Sequence, residues 1–130
     1  MNDASFCAAL LQTPAITALI GNRAGLAQLR QGWALPALVY QVISSNDRPY
    51  VAGYAEPGPR TLRLQINPLA TTVDAVEAIH AAVRAAVLQA SQADGVRIVH
   101  VETAGQGLYD KDETSGAWTR PADYLVTVEI

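Results

Sequence analysis

The sequence predicts an α+β domain in which a mostly antiparallel four-stranded sheet carries helices on one face. Segments with helical periodicity lie at the N-terminus and in the middle of the chain, and segments rich in β-branched residues follow each of them. Consecutive strands without an intervening helix favour antiparallel pairing. The predicted element order is therefore α-β-β-α-β-β.

The N-terminal helix is expected to be broken near Gln12, because an interior proline costs a helix about 3 kcal/mol. Asp3 is the expected N-cap of the first part. Thr13 and Pro14 predict a second start, with the threonine as cap and the proline at the first helical position. Gly21 predicts the end of the second part, since glycine readily adopts the left-handed conformation.

Two strands are predicted in the centre of the chain. Residues 22–36 lack a clean period and are expected to form a loop, whereas residues 37–44 are β-branched and apolar, as in a buried strand. Residues 45–60 are rich in Asn, Asp, Pro and Gly and are expected to form a long connection. Residues 61–67 alternate strictly, which predicts a strand with one buried face. The residues predicted to be buried there are Leu62, Leu64 and Ile66.

The second half of the chain predicts a helix and two further strands. Thr71 is the expected cap of a helix over 73–90, with Asp74 completing a capping box. The helix is expected to bury one apolar stripe, formed by Val76, Ile79, Val83, Val87 and Ala90. Strands are predicted over 96–103 and 124–130, and the residues of the last strand expected to face inward are Tyr124, Val126, Val128 and Ile130. A turn is expected at Asp94-Gly95, and residues 105–122 are expected to form a polar hairpin tip or a mobile loop.

Composition limits the classes of function. The 130 residues suit one domain, 1–130, and only 16% of them are charged, below the usual value of about 25%. Nine basic residues are scattered singly among twelve acidic ones, which argues against nucleic acid as the main ligand. No apolar run approaches the length of about 20 residues that spans a bilayer. We expect a soluble protein made in a cytoplasm.

No pattern predicts catalysis, a cofactor or a metal. His80 and His100 lack the spacing of a zinc site and are expected to be structural or surface residues. Cys7 is expected to be a small buried hydrophobe. The acidic residues of 110–113 resemble a calcium loop but lack its glycine and closing glutamate, so a solvated turn is expected. We therefore expect no enzyme activity.

Two long loops carry residue types that concentrate in protein interfaces. The alternative is that their aromatic side chains fold back as lids on the sheet. Arginines are expected to pair with acidic groups of a partner, and tyrosines to act as anchors. The candidate interface residues are Arg48, Tyr50, Tyr54, Arg60, Tyr109 and Arg120.

The order and spacing of several segments resemble one family over nearly the whole chain. The segments are AALL (8–11), ITALIGNR (16–23), RQGWALPALVY (30–40), RLQI (63–66), AVEAI (75–79), AVR (82–84), LYD (108–110) and the last hydrophobic strand. This pattern resembles the tail-completion proteins of long-tailed bacteriophages, prophages and gene transfer agents.

The resemblance implies a structural role in the virion. Such proteins form a ring, typically of six copies, that closes the head-proximal end of the tail tube, stops tube polymerisation and joins the tail to the head connector. The implied partners are further copies of the chain, the tail tube protein and the head–tail connector or stopper protein. The implied location is the neck of the virion, after assembly in the host cytoplasm. The alternative is a small-ligand or regulatory binding domain without catalytic activity.

Overall fold

The computed structural model describes residues 2–47 and 59–129, which form one sheet and three helices around a shared core. The α+β class is confirmed. The helices are α1 (Asp3–Leu10), α2 (Pro14–Ile20) and α3 (Val73–Gln89). The strands are β1 (Ala24–Leu26), β2 (Ala37–Asp47), β3 (Pro59–Ala70), β4 (Gln92–Ala93), β5 (Val96–Gln106), β6 (Asp110–Lys111), β7 (Trp118–Thr119) and β8 (Ala122–Glu129).

The predicted break in the N-terminal helix is confirmed, and α1 and α2 meet at an angle of 87°. Thr13 occupies the N-cap position of α2 and Pro14 its first turn, as expected, but the buried Thr13 hydroxyl makes no capping hydrogen bond. Gly21 ends the helix with φ +62°. The predicted cap of α1 is wrong by one residue. Asn2 is the N-cap, and its side chain accepts a 2.9 Å hydrogen bond from the Ser5 amide. Among the described residues no single helix is long and apolar enough to cross a membrane. The bent α1–α2 pair taken together has the length and composition of a membrane span.

The prediction of a mostly antiparallel four-stranded sheet is wrong in strand number, because the described residues form an eight-stranded mixed sheet. Its order is β1-β2-β3-β8-β5-β4, and the small pair β6–β7 joins the end of β3 through β7. The extra strands are only two or three residues long, too short to show a period. One of them, β1, lies inside the predicted loop 22–36 and runs parallel to β2.

The long strands continue beyond their predicted ends. The β2–β3 ladder extends to the pair Asp47–Arg60, so both ends of the predicted connection 45–60 are strand. A register shift between Val42 and Ser44 marks an irregularity where the apolar run gives way to polar residues. Polar residues at an outer position do not prevent pairing, because the partner strand satisfies the backbone groups.

The predicted buried faces are confirmed. Leu62, Leu64 and Ile66 of β3 have no exposed surface, and neither have Val126 and Val128 of β8. Helix α3 covers this face with one apolar stripe. Its fully or almost fully buried members are Val76, Ile79, Val83 and Val87.

Cys7 of α1 is completely buried, as expected, and its burial raises the pKa of the thiol to about 12.

The predicted cap of α3 is wrong by one residue. The cap is Thr72 rather than Thr71, and the Thr72 hydroxyl accepts a hydrogen bond from the Ala75 amide at 3.1 Å. Adjacent threonines present the same capping chemistry, so the sequence alone does not decide between them.

Candidate assembly interface

The segment 107–121 is a short hairpin rather than an open loop. Strands β6 and β7 pair at its base, and Asp112 organises the tip. One carboxylate oxygen of Asp112 accepts from the Thr114 amide and the other from the Ser115 hydroxyl, both at 3.0 Å. Both hydrogen bonds lower the pKa of Asp112, and the bond from the Thr114 amide has the larger effect. Gly116, with φ +72°, closes the turn with a 2.7 Å bond to the Asp112 carbonyl.

Three side chains fasten this hairpin to α3. The Tyr109 hydroxyl donates to Glu77, and the Arg120 guanidinium lies 4.8 Å from the centre of the Tyr109 ring. Arg120 also donates to Glu77 Oε1 at 3.3 Å. The hydrogen bond from Tyr109 has the largest effect on the pKa of Glu77, which it lowers, and Arg120 lowers this pKa further. The hairpin is therefore held to the helix by a charged and aromatic cluster.

His80 of α3 contacts the backbone of Arg120 beneath this cluster. It is 3% exposed, and its Nε2 lies 2.7 Å from the Arg120 carbonyl oxygen. A carbonyl only accepts, so the neutral ring carries its proton on Nε2 and donates there. Nδ1 is buried and has no partner among the described residues. Burial lowers the pKa of His80, so the geometry favours the neutral ring.

The same bonds present Leu108 to solvent. Leu108 is 87% exposed, the highest value among the exposed large apolar side chains of the described residues. On one side of it the Gly107 amide donates to the Pro121 carbonyl at 2.8 Å, and the Gly107 carbonyl accepts from Arg120 at 2.9 Å. On the other side stands Tyr109, bonded to α3. We call Leu108, Tyr109 and Arg120 the apolar corner.

The outer face of the sheet has a different character. Its charges are paired across strands, with Arg63 2.7 Å from Asp123 and Arg97 3.4 Å from Glu129. Polar side chains also meet there, and Thr61 and Thr127 hydrogen-bond at 3.1 Å. This face therefore presents polar groups with little net charge.

The structure brings together only part of the predicted interface set. Tyr109 and Arg120 meet in the apolar corner, so neither is a lid on the sheet. Arg60 lies elsewhere, where it forms a 3.3 Å ion pair with Asp3 at the start of α1. Arg48, Tyr50 and Tyr54 lie outside the described residues.

Sequence reasoning missed three residues of this site. Glu77 and His80 lie one turn apart on α3, at i and i+3, a spacing that places both near one side of a helix. Leu108 follows Gly107 and precedes Tyr109 in a polar segment, where an isolated leucine is the only available signal. Among the residues described, no group of three or more His, Cys, Asp and Glu side chains could hold a metal ion.

The comparison with protein families decides the relationship. The family model described as Tail completion protein gp17 matches residues 5–120. The chain belongs to this family. The tail completion family consists of structural proteins of the bacteriophage tail, and the resemblance inferred from the sequence is confirmed.

The comparison with solved structures supports the fold. The chain is similar to one from a structure described as "Virion of native gene transfer agent (GTA) particle", with a TM-score of 0.68 and 15% sequence identity. The match covers 98% of this chain and 93% of the other. A search among curated proteins finds no match. The two chains thus share a fold at a low level of sequence identity.

Proposed function

We propose that this tail completion protein forms a ring of six copies that closes the head-proximal end of the tail tube. The ring stops tube polymerisation and joins the tail to the head connector. Its partners are further copies of the chain, the tail tube protein and the connector or stopper protein. It acts in the neck of the virion and is assembled in the host cytoplasm. The observation that carries this proposal is the family match over residues 5–120.

The described surfaces suit a subunit of this kind. A closed ring of identical copies needs two different patches on each copy that fit each other. The apolar corner supplies a firmly held leucine and tyrosine, and the outer sheet face supplies paired charges and hydroxyls. Interfaces of moderate size combine these two characters, with an apolar centre and a polar rim.

The six predicted residues remain proposed interface residues. Tyr109 and Arg120 contribute through the apolar corner, where Arg120 lies against the tyrosine ring. Arg60 lies in β3, whereas Arg48, Tyr50 and Tyr54 follow β2 in the sequence and lie outside the described residues. We propose that these four residues meet an acidic surface of a neighbouring subunit or of the tail tube.

The alternative hypothesis, a small-ligand binding domain, is not supported by the packing between the sheet and the helices. Leu62, Leu64 and Ile66 fill that face and are completely buried. A ligand site needs a cavity with a few convergent polar groups, which a filled apolar face does not offer.

Electron microscopy of tails assembled without this protein tests the proposal. We expect tails of abnormal length that do not join heads. Tails of normal length that still join heads would refute the terminator function. Light scattering on the purified protein gives a second measurement, and a ring mass in solution or on added tail tubes is expected.

A further inference from the structure

A polar cleft lies between α3 and the far end of the β5–β8 ladder, beside the apolar corner. Its volume is about 380 Å³. The register of β5 and β8 shifts between Thr103 and Gln106, which opens the end of the ladder at this point. The polar side chains that line the cleft are those of Arg84, Thr103, Gln106, Arg120, Asp123 and Tyr124.

Tyr124 is the polar group at the base of the cleft. It is 2% exposed, and its hydroxyl has no hydrogen-bond partner among the described residues. Among the described residues the fully buried side-chain atoms without a partner belong to Thr13, Asn67 and His80. The Tyr124 hydroxyl therefore keeps a small exposed area, and it is free to donate to a group bound in the cleft that Tyr124 lines. Arg84 and Tyr124 line the same cleft. Burial raises the pKa of Tyr124, and the positive charge of Arg84 opposes this rise.

Arg84 supplies the charge of the cleft. It lies exposed on α3 and forms no ion pair within the described residues. Asp123 does not neutralise it, because Arg63 holds the Asp123 carboxylate with bonds of 2.9 and 2.7 Å. Arg120 is already bonded to Glu77 and Gly107. The cleft therefore offers one unpaired guanidinium and one unpaired hydroxyl, both hydrogen-bond donors.

We propose that this cleft binds a carboxylate from an acidic segment of a neighbouring protein subunit. A carboxylate has two oxygens and no donor, so it accepts from Arg84 and from the Tyr124 hydroxyl at once. The partner group is expected to be negatively charged because the Arg84 guanidinium in the cleft is positive and forms no ion pair within the described residues. The identity of the neighbour as a virion subunit rests on the proposed function, whereas the carboxylate site itself does not.

A protein carboxylate fits the surroundings better than a nucleic-acid phosphate. Nucleic-acid surfaces combine many basic residues along a stripe, and this cleft has a single unpaired arginine on a chain of net charge −3. One unpaired positive charge matches one side-chain carboxylate.

The test is a titration of the full-length, ¹⁵N-labelled chain followed by NMR. The probe is acetyl-glycyl-glutamyl-glycinamide, and its matched control contains glutamine in place of glutamate. We expect saturable shifts of the Gly105 and Gln106 amide signals with the glutamate peptide only. Arg84→Gln is expected to weaken binding by about tenfold or more, as is typical of a lost hydrogen bond to a charged group. Tyr124→Phe is expected to weaken it several-fold without changing the ring packing.

Arg97→Gln is the matched control variant, because it removes the same charge from an exposed residue of β5 that pairs with Glu129. It is expected to bind the peptide as the unchanged chain does. Absence of saturable shifts, or equal weakening by Arg97→Gln, would overturn the proposal. Inorganic phosphate binding as tightly as the glutamate peptide would overturn the assignment to a carboxylate. None of these outcomes depends on whether the chain terminates tails, so this proposal and the terminator function fail separately.

Discussion

At the scale of single residues, His80 is the side chain whose protonation bears most directly on the candidate interface. Its folded pKa lies below the ordinary value of 6.5 because the ring is buried. Between those two values the unfolded chain binds more protons than the folded chain, so acidification favours unfolding. The contribution of His80 to stability is complete above about pH 6.5 and declines as the pH falls towards the folded pKa.

We therefore expect the free energy of unfolding to fall as the pH is lowered below about 6.5, with a slope of at most about 1.4 kcal/mol per pH unit from this residue. His80→Gln keeps a donor for the Arg120 carbonyl but does not titrate, so it should flatten the profile. Urea denaturation at a series of pH values measures the effect. Parallel profiles for the unchanged chain and His80→Gln would contradict this account.

The hydroxyl of Tyr109 allows a second test at the same scale. Tyr109→Phe retains the ring beneath Arg120 but removes the bond to Glu77. We expect the hairpin to open more often and the Gly107 amide, bonded to the Pro121 carbonyl, to exchange its hydrogen several-fold faster. Hydrogen exchange followed by NMR measures this rate, with the Ala75 amide at the cap of α3 as internal control. Unchanged exchange at Gly107 would mean that Glu77 does not hold the hairpin.

Residue identity alone predicted the site only in part. Tyr109 and Arg120 were selected because their types are common in interfaces, and the structure places them together. The same argument selected Arg60, which pairs with Asp3 of its own chain, 57 residues away. A pairing over such a distance depends on the tertiary fold, and residue type carries no information about it.

At the scale of elements, predictability follows length and period. The alternation of β3 and the apolar stripe of α3 identified their buried faces correctly, because each repeats over several turns or pairs. Strands β1, β4, β6 and β7 have two or three residues each and depend on a longer neighbour for pairing. Their existence is decided by the ladder they join, so the local sequence does not reveal them.

The strand β1 can be tested through Gly25, which is buried and lies opposite Val39. A Cβ at this position would meet the Gln28 carbonyl oxygen and lie 3.3 Å from the Trp33 ring. A backbone atom does not move aside easily, so Gly25→Ala should lower the free energy of unfolding by about 1–3 kcal/mol. Thermal or urea denaturation measures this change.

The neighbouring exchange Ala24→Gly is the control, since it alters the same strand without a clash. It should cost about 1 kcal/mol or less through backbone entropy. Equal stability of Gly25→Ala and the unchanged chain would show that the segment from Gly25 to Gln28 adapts, and that this close approach does not fix β1.

At the scale of the whole molecule, the low charge fraction has a structural counterpart. Several of the charges in the described residues are used within the chain, as in the pairs Arg63–Asp123 and Arg120–Glu77. Such pairs leave fewer unpaired charges on the surface to face a neighbouring copy at short range. The composition is therefore compatible with the proposed ring subunit, and the apolar corner is where the proposed contact with a neighbour is most easily tested.

Leu108 provides this test because it is exposed in the isolated chain and held by bonded neighbours on both sides. Leu108→Ser should change the free energy of unfolding by no more than about 0.5 kcal/mol, as is usual for exposed positions. It should nevertheless sharply reduce the number of joined particles, because a buried apolar anchor at an interface is lost.

Complementation of particles lacking the protein, scored by electron microscopy, measures the number of joined particles. Leu108→Met retains an apolar side chain of similar size and should restore joining, which separates loss of the anchor from any disturbance of the hairpin. If particles carrying Leu108→Ser join as efficiently as those carrying the unchanged chain, the apolar corner lies outside the assembly contacts. The outer sheet face and the proposed interface residues from Arg48 to Arg60 are then the ones to test next.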